Sequence, residues 1–90
     1  MILIFGGTTE GRLAVETLDE AGAPYFYSTR GEAQAITCRH GQRITGALDG
    51  EAMAAFCREK EIRLLVDAAH PFAERLRQTI AGVARRLRIP

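Results

Sequence analysis

Apolar residues fall into short runs along this chain, and longer amphipathic segments separate the runs. Residues 2–5 form an apolar run without polar alternation, which is typical of a strand covered on both faces of a parallel sheet. Residues 24–28 and 62–66 form comparable runs, and residues 42–45 form a shorter strand candidate between two glycines. The pattern therefore predicts four strands.

The first amphipathic segment, residues 10–21, repeats apolar side chains at three- and four-residue spacing, which predicts a helix. Gly22 stands where a helix commonly ends in a left-handed residue. The predicted apolar side of this helix consists of Leu13, Ala14, Thr17, Leu18 and Ala21. Its predicted polar side consists of Glu10, Arg12, Glu16, Asp19 and Glu20.

Two further helices are predicted. One follows Asp49, which acts either as its N-cap or as part of a turn, and ends near Lys60. The other begins at Pro71, because the N–H that proline lacks would have no intrahelical partner in a first turn. Its predicted apolar stripe consists of Phe72, Ala73, Leu76, Ile80, Val83, Ala84 and Leu87. Its predicted solvent-facing side consists of Glu74, Arg75, Arg77, Gln78, Arg85 and Arg86.

This order of elements predicts a single Rossmann-like α/β domain over residues 1–90, with a mostly parallel sheet and helices on both faces. Wound as in dinucleotide-binding halves, the strands take the spatial order 3-2-1-4, and the ends of strands 1 and 4 flank a crevice. Residues 32–41 are either a short helix or a turn. Residues 89–90 have the pattern of the start of another strand.

A glycine-rich loop joins the first strand to the first helix, in the context that a dinucleotide fingerprint requires. In the pattern G-x-G-x-x-G, Thr8 occupies the middle glycine position. This threonine predicts either that the phosphate is displaced from its usual place or that the hydroxyl donates to the phosphate. The alternative is that the loop is only a tight turn that requires glycines for steric reasons. Glu10 is either a surface acid that complements the helix dipole or a ligand contact. The candidate cofactor-binding residues of the loop are Gly6, Gly7, Thr8, Thr9, Glu10 and Gly11.

The end of the second predicted strand reads Ser28-Thr29-Arg30, with no acidic residue before Glu32. An acidic residue at this place takes the ribose hydroxyls of NAD, whereas an arginine accommodates the 2′-phosphate of NADP. Arg30 offers a planar guanidinium for that phosphate, and Ser28 or Thr29 offers a hydroxyl. The sequence therefore predicts NADPH rather than NADH, with a solvated surface arginine as the alternative interpretation of Arg30.

The fourth predicted strand ends at the motif DAAHPF, across the crevice from the glycine loop. Asp67 and His70 are candidate catalytic residues, as acid–base or positioning groups, because a nicotinamide or substrate is expected there. The alternatives are an Asp67 that caps its own turn and a His70 that anchors the loop. His70, Pro71 and Phe72 are also candidate cofactor contacts, as is Gly46 at the end of strand three.

Composition narrows the function classes further. A formal net charge of +1 provides no basic surface of the kind that nucleic-acid binding requires. Cys38 and Cys57 form no CxxC pair, and Cys38 and His40 lack further ligands at a usable spacing, so no metal is expected. No run approaches the ~20 apolar residues of a membrane span, and a cytoplasmic location is the default expectation.

Two motifs in combination resemble the precorrin-6A reductase family of cobalamin biosynthesis. They are ILIFGGTTEGR at residues 2–12 and DAAHPFA at residues 67–73, with GALD at residues 46–49 between them. The resemblance implies a Rossmann-like, NADPH-dependent oxidoreductase that reduces a ring double bond of a precorrin, a tetrapyrrole substrate. It also implies that Gly6, Gly7, Thr8, Thr9 and Glu10 lie in the cofactor loop, and that Asp67, His70, Pro71 and Phe72 lie in the cleft motif.

Members of that family are much longer than this chain, so the resemblance covers their N-terminal domain. It implies a truncated domain whose partner is a missing C-terminal domain or a self-associating second copy. The chain is expected to supply the cofactor-binding half of the enzyme that reduces precorrin-6A to precorrin-6B. The alternative is a non-catalytic nucleotide-binding or assembly module, inactive without a second domain.

Overall fold

The computed structural model describes residues 1–30, 36–46, 48–70 and 72–90. Its elements in chain order are β1 Ile2–Phe5, α1 Thr9–Ala21, β2 Tyr25–Thr29, β3 Gly41–Thr45, α2 Gly50–Glu59, β4 Leu64–Asp67 and α3 Glu74–Leu87. The strands pair in parallel throughout, in the order β3-β2-β1-β4. The predicted α/β fold and strand order are therefore confirmed.

Alternate residues of the central strands point to opposite faces of the sheet, because side chains in a strand alternate with a period of two. The sheet therefore has a core on each face. The larger core, against α2 and α3, consists of Leu3, Phe5, Phe26, Met53, Ala54, Cys57, Ile62, Ile80 and Val83. The smaller core, against α1, consists of Ile4, Val15, Tyr25 and Tyr27.

The ends of α1 and α2 follow the predicted capping residues. Gly22 ends α1 with a φ of 71°, in the left-handed region that glycine adopts without strain. Asp49 is the N-cap of α2, and its carboxylate accepts the backbone N–H of Ala52 at 2.8 Å. The N-cap alternative for Asp49 is thereby confirmed.

The predicted start of α3 at Pro71 is wrong, since the helix begins at Glu74 with Ala73 as its N-cap. The Ala73 N–H donates to the carbonyl of His70 at 2.9 Å, so the chain makes a turn there before the helix starts. Phe72 precedes the helix and its side chain is 87% exposed, outside the apolar stripe assigned to it. Pro71 itself lies outside the described residues.

Two of the polar side chains predicted to face solvent have partners within the protein. Asp19 of α1 is buried, and Arg77 of α3 turns back to pair with Asp67 at 2.9 Å. Conversely, Leu13 is 56% exposed although the spacing assigned it to the apolar side of α1. Helical periodicity predicts on which side of a helix a residue lies. It carries no information about a polar partner that a distant segment supplies.

The remaining boundaries differ by small shifts. The fourth strand starts at Leu64, two residues after its predicted start, because the Ile62 N–H donates to the Cys57 carbonyl as the chain leaves α2. Of the ambiguous segment 32–41, residues 32–35 lie outside the described part, and residues 36–40 contain no helix. Beyond α3, the Leu65 N–H donates to the Pro90 carbonyl at 3.0 Å, at the outer edge of β4.

Asp19 fixes the segment that leads into β3. Its carboxylate accepts the Tyr25 hydroxyl at 2.8 Å and the backbone N–H groups of Arg39 at 3.2 Å and His40 at 2.9 Å. Burial raises the pKa of Asp19, but the hydrogen bonds from His40, Tyr25 and Arg39 outweigh it, so the pKa lies below its ordinary value. Burial and the same carboxylate raise the pKa of the Tyr25 hydroxyl.

Replacing Asp19 by asparagine should lower the free energy of unfolding by about 1–3 kcal/mol at pH 7, because charge-assisted hydrogen bonds are lost in a buried position. A carboxyl group with a lowered folded pKa stabilises the protein above its unfolded pKa, and this contribution disappears as pH falls through the folded value. Part of the acid sensitivity below about pH 4 should therefore vanish in Asp19→Asn. Urea unfolding between pH 7 and pH 3 measures it, with Glu20→Gln as the exposed-carboxyl control. Identical acid sensitivity in Asp19→Asn and the unmutated chain would contradict the assignment.

Candidate functional site

The glycine loop rests on the side chain of Tyr27. The Gly7 N–H donates to the Tyr27 hydroxyl at 2.9 Å. A Cβ atom at Gly6 would overlap the Tyr27 ring, and one at Gly11 would lie 2.8 Å from the Tyr27 hydroxyl and 2.9 Å from the Gly6 Cα. The first and third glycines of the motif are thus required by an aromatic ring beneath them.

Tyr27 was not among the predicted site residues. Side chains alternate between the two faces along a strand, so Tyr27 lies on the same face of β2 as Tyr25, which is the face covered by α1. A buried tyrosine also needs a hydrogen-bond partner for its hydroxyl. Those two signals together could have pointed to the loop, although neither identifies Gly7 as the donor.

Thr8 joins the glycine loop to the end of β4. Its hydroxyl accepts the Gly11 N–H at 3.0 Å, as the N-cap of α1, and donates its hydrogen to the Ala68 carbonyl. The threonine at the middle glycine position therefore bridges the two strand ends that flank the crevice. Gly7, with a φ of 92°, makes the backbone turn that precedes it.

Thr9 and Glu10 form the exposed first turn of α1. Backbone N–H groups in a first turn have no carbonyl partner within the helix, and the helix dipole is positive at this end. Glu10 is the acidic residue of that turn, so its charge complements the dipole. Binding of a phosphate at this loop remains a prediction.

The carboxylate of Asp67 is engaged within its own turn and with α3. One oxygen accepts the Ala69 N–H at 3.1 Å, and the other accepts Nε of Arg77 at 2.9 Å. This geometry corresponds to the capping alternative for Asp67, with Arg77 as a partner that the sequence pattern had assigned to solvent. A proton-transfer role for Asp67 remains a prediction.

His70 and Phe72 are tied to each other at the rim of the site. Nδ1 of His70 accepts the Phe72 N–H at 3.2 Å, and the two ring centroids lie 5.2 Å apart with a tilt of 38°. Because Nδ1 is an acceptor here, the neutral imidazole carries its hydrogen on Nε2. His70 is exposed, so this Nε2–H is available to a ligand as well as to water.

A cleft of about 700 Å³ opens at the carboxyl ends of the strands, on the side of α2 and α3. This volume is in the range of small-molecule and cofactor sites, and the location is where parallel sheets bind ligands. Predicted site residues in its lining are Gly6, Ser28, Thr29, Arg30, Gly46, His70 and Phe72. Those that the structure describes outside the lining are Gly7, Thr8, Thr9, Glu10, Gly11 and Asp67.

The end of β2 presents one exposed cation to this cleft. Ser28 and Thr29 are buried, and their carbonyls accept the N–H groups of Gly6 at 2.9 Å and Gly46 at 3.1 Å. Arg30 follows them and is exposed in the cleft lining. The ends of β1, β2 and β3 are thus held together by backbone hydrogen bonds, with the Arg30 guanidinium at their edge.

The first two turns of α3 add residues that the sequence pattern did not assign to the site. Arg75, Leu76 and Thr79 line the cleft opposite the strand ends, together with Asp49 and Gly50 at the start of α2. These residues line the cleft because of the way α3 packs beside α2. The spacing of apolar residues within one helix does not predict that packing.

No helix in the described part of the chain is long and apolar enough to cross a membrane. Within the same residues, no three histidine, cysteine, aspartate or glutamate side chains lie close enough together to hold a metal ion. Cys57 is buried in the larger core, and burial raises the pKa of its thiol.

Comparison with known proteins gives consistent matches. The family model described as precorrin-6x reductase CbiJ/CobK matches residues 1–90. A cobalt-precorrin-6A reductase from Salmonella typhimurium is 36% identical over 76 residues, which cover 81% of this chain and 28% of the relative. A cobalt-precorrin-6A reductase from Synechocystis is 31% identical over 93 residues, covering 99% and 35%. A precorrin-6A reductase from Sinorhizobium is 38% identical over 87 residues, covering 94% and 33%.

The fold is also found in a solved structure. The precorrin-6A reductase CobK superimposes with a TM-score of 0.88 at 21% identity, covering 98% of this chain and 36% of that one. The likeness supports the same arrangement of strands and helices. The chain spans about a third of the length of the curated relatives it matches.

The contact between Gly6 and Tyr27 can be tested by a double-mutant cycle. Gly6→Ala should lower the free energy of unfolding by about 1–3 kcal/mol, because the added methyl group overlaps a buried ring. The same change should cost clearly less in a Tyr27→Leu background, where that ring is absent. Gly82→Ala is the matched control, since a Cβ there meets nothing within 4 Å and alanine favours a helix. An equal cost of Gly6→Ala in both backgrounds would rule out the contact as the cause.

Proposed function

This chain belongs to the precorrin-6x reductase CbiJ/CobK family, and we propose from that membership and from its cleft that it forms the NADPH-binding part of a precorrin-6A reductase. The reaction belongs to the formation of the corrin ring of cobalamin. The substrate class is the precorrin-6A macrocycle, with or without cobalt, as the names of the relatives indicate.

One observation carries the proposal, namely that residues following all four strands meet in one cleft, with Gly6 as the residue of the glycine loop that lines it. Gly6, Arg30, Gly46 and His70 come from four separate segments and line the same 700 Å³ space. In doubly wound sheets this crevice receives dinucleotides, with the residue after β2 at the 2′ position of the adenosine ribose. The donor set fits NADPH because a guanidinium, and no carboxylate among the described residues at the end of β2, stands at that position.

Each part of the site has a role in this proposal. The first turn of α1 provides N–H groups and the positive end of a dipole for the pyrophosphate. Arg30 binds the 2′-phosphate, with its planar fork matching two phosphate oxygens. His70 donates from Nε2 to the cofactor or substrate, and Phe72 covers a planar ring at the rim. NADPH, when bound, supplies a hydride that together with one proton saturates one double bond of the macrocycle.

A second candidate function is a nucleotide-binding module without catalysis of its own. The chain spans about a third of the length of the curated relatives it matches, and the roles assigned above to Arg30 and to the first turn of α1 concern nucleotide binding alone. Turnover of precorrin-6A with NADPH by the 90-residue chain separates the two candidates. Oxidation of NADPH that depends on precorrin-6A supports the reductase, and binding of NADPH without any turnover supports the module.

Arg30→Glu should weaken NADPH binding far more than NADH binding, because only NADPH places a phosphate beside residue 30. Loss of one charge-assisted phosphate contact corresponds to roughly a 10- to 100-fold loss of affinity. Isothermal titration with both nucleotides measures the difference, and Arg58→Glu on α2, outside the cleft, is the control for a change in net charge. Equal losses for NADPH and NADH would contradict the assignment of Arg30.

A further inference from the structure

The turn at residues 67–70 is held from two directions. On the side of the glycine loop, the Ala68 N–H donates to the Phe5 carbonyl at 2.9 Å, and the Ala68 carbonyl accepts the hydroxyl of Thr8. On the other side it meets Arg77, the fourth residue of α3. The turn carries His70 into the cleft lining, so contacts that fix the backbone of the turn also fix the point from which the imidazole extends.

A single guanidinium group holds the α3 side of this turn. Nε of Arg77 donates to Asp67 at 2.9 Å, and Nη2 lies 3.4 Å from the Ala69 carbonyl oxygen and 3.5 Å from that of His70. Arg77 therefore contacts three of the four residues of the turn. The planar fork of arginine allows these contacts at once, whereas the ammonium of lysine is a single point of charge.

The Arg77–Asp67 ion pair is partly exposed to solvent, which bears on whether it stabilises the fold. The side chains of Arg77 and Asp67 are 42% and 24% exposed. Ion pairs with this much solvent contribute little to the free energy of unfolding, because water screens the charges and side-chain entropy is lost. Three contacts with one turn therefore matter more for the geometry of that turn than for the stability of the fold.

We propose that Arg77 is a positioning residue of the cleft, acting through the 67–70 turn on His70. Arg77 lies outside the cleft lining in the described structure, so it acts without touching the ligand. The identity of that ligand as NADP(H) rests on the proposed function. The contacts of Arg77 with the turn are formed without a ligand, so their effect on His70 can be measured in the free chain.

The test uses the 90-residue chain and the variants Arg77→Met, Arg77→Lys and Asp67→Asn, with Arg85→Met on the same helix as the matched control. Three quantities are measured: the urea midpoint of unfolding, the ring-nitrogen signals of ¹⁵N-histidine-labelled protein without nucleotide, and the Kd for NADP⁺. His70 is assigned with a His40→Gln variant, since the chain has two histidines.

Arg77→Met should shift the His70 ring-nitrogen signals and the Phe72 N–H signal, and it should weaken NADP⁺ binding roughly tenfold with a nearly unchanged urea midpoint. Arg77→Lys should restore part of both effects, and Arg85→Met should leave them unchanged. Asp67→Asn keeps the acceptor for Ala69 but removes the charge facing Arg77, so it should shift the same signals if Arg77→Met proves too unstable to study.

Unchanged His70 signals in both Arg77→Met and Asp67→Asn would overturn the positioning role. So would a loss of NADP⁺ affinity in Arg85→Met equal to that in Arg77→Met. Failure of the unmutated chain to bind NADP⁺ would instead overturn the proposed function. The nucleotide-free spectra would still decide whether Arg77 orients His70.

Discussion

The hydrogen bond from the Thr8 hydroxyl to the Ala68 carbonyl is the contact on which the site depends. β1 and β4 are neighbours in the sheet, yet the helices that follow them cover opposite faces, so their loops diverge where the strands end. A divergence of this kind creates the crevice typical of doubly wound sheets. Thr8 spans it and also caps α1, which fixes the glycine loop relative to the DAAHPF turn.

Tyr27 supports this bridge from below. Its ring excludes any side chain larger than hydrogen at Gly6, and its hydroxyl accepts the Gly7 N–H, so the loop approaches β2 closely. Arg30 follows the last residue of the same strand and lines the cleft. One strand therefore carries the tyrosine that contacts the glycine loop and leads directly into the cation at the cleft edge.

Much of the fold could be predicted from the sequence because its signals are local. The apolar run before Gly6, the left-handed Gly22 and the N-cap Asp49 each depend on residues within a few positions. The strand order has no local signal, and its prediction rested on the winding typical of dinucleotide-binding halves. The contacts of Asp19, Tyr27 and Arg77 could not be predicted, because their partners lie in other segments of the chain. The periodicity of one element contains no information about residues outside it. Phe72 was misassigned because a proline suits a turn as well as a helix start.

The hydrogen bond between the Leu65 N–H and the Pro90 carbonyl has a consequence for association between molecules. β4 is an edge strand, and the open N–H and C=O groups of an edge can pair with a strand of another chain and start aggregation. An incoming strand must displace Pro90 from Leu65 before it can extend the sheet there. Proline has no N–H to offer in return, so the residue that covers this edge does not itself become a new donor at that position.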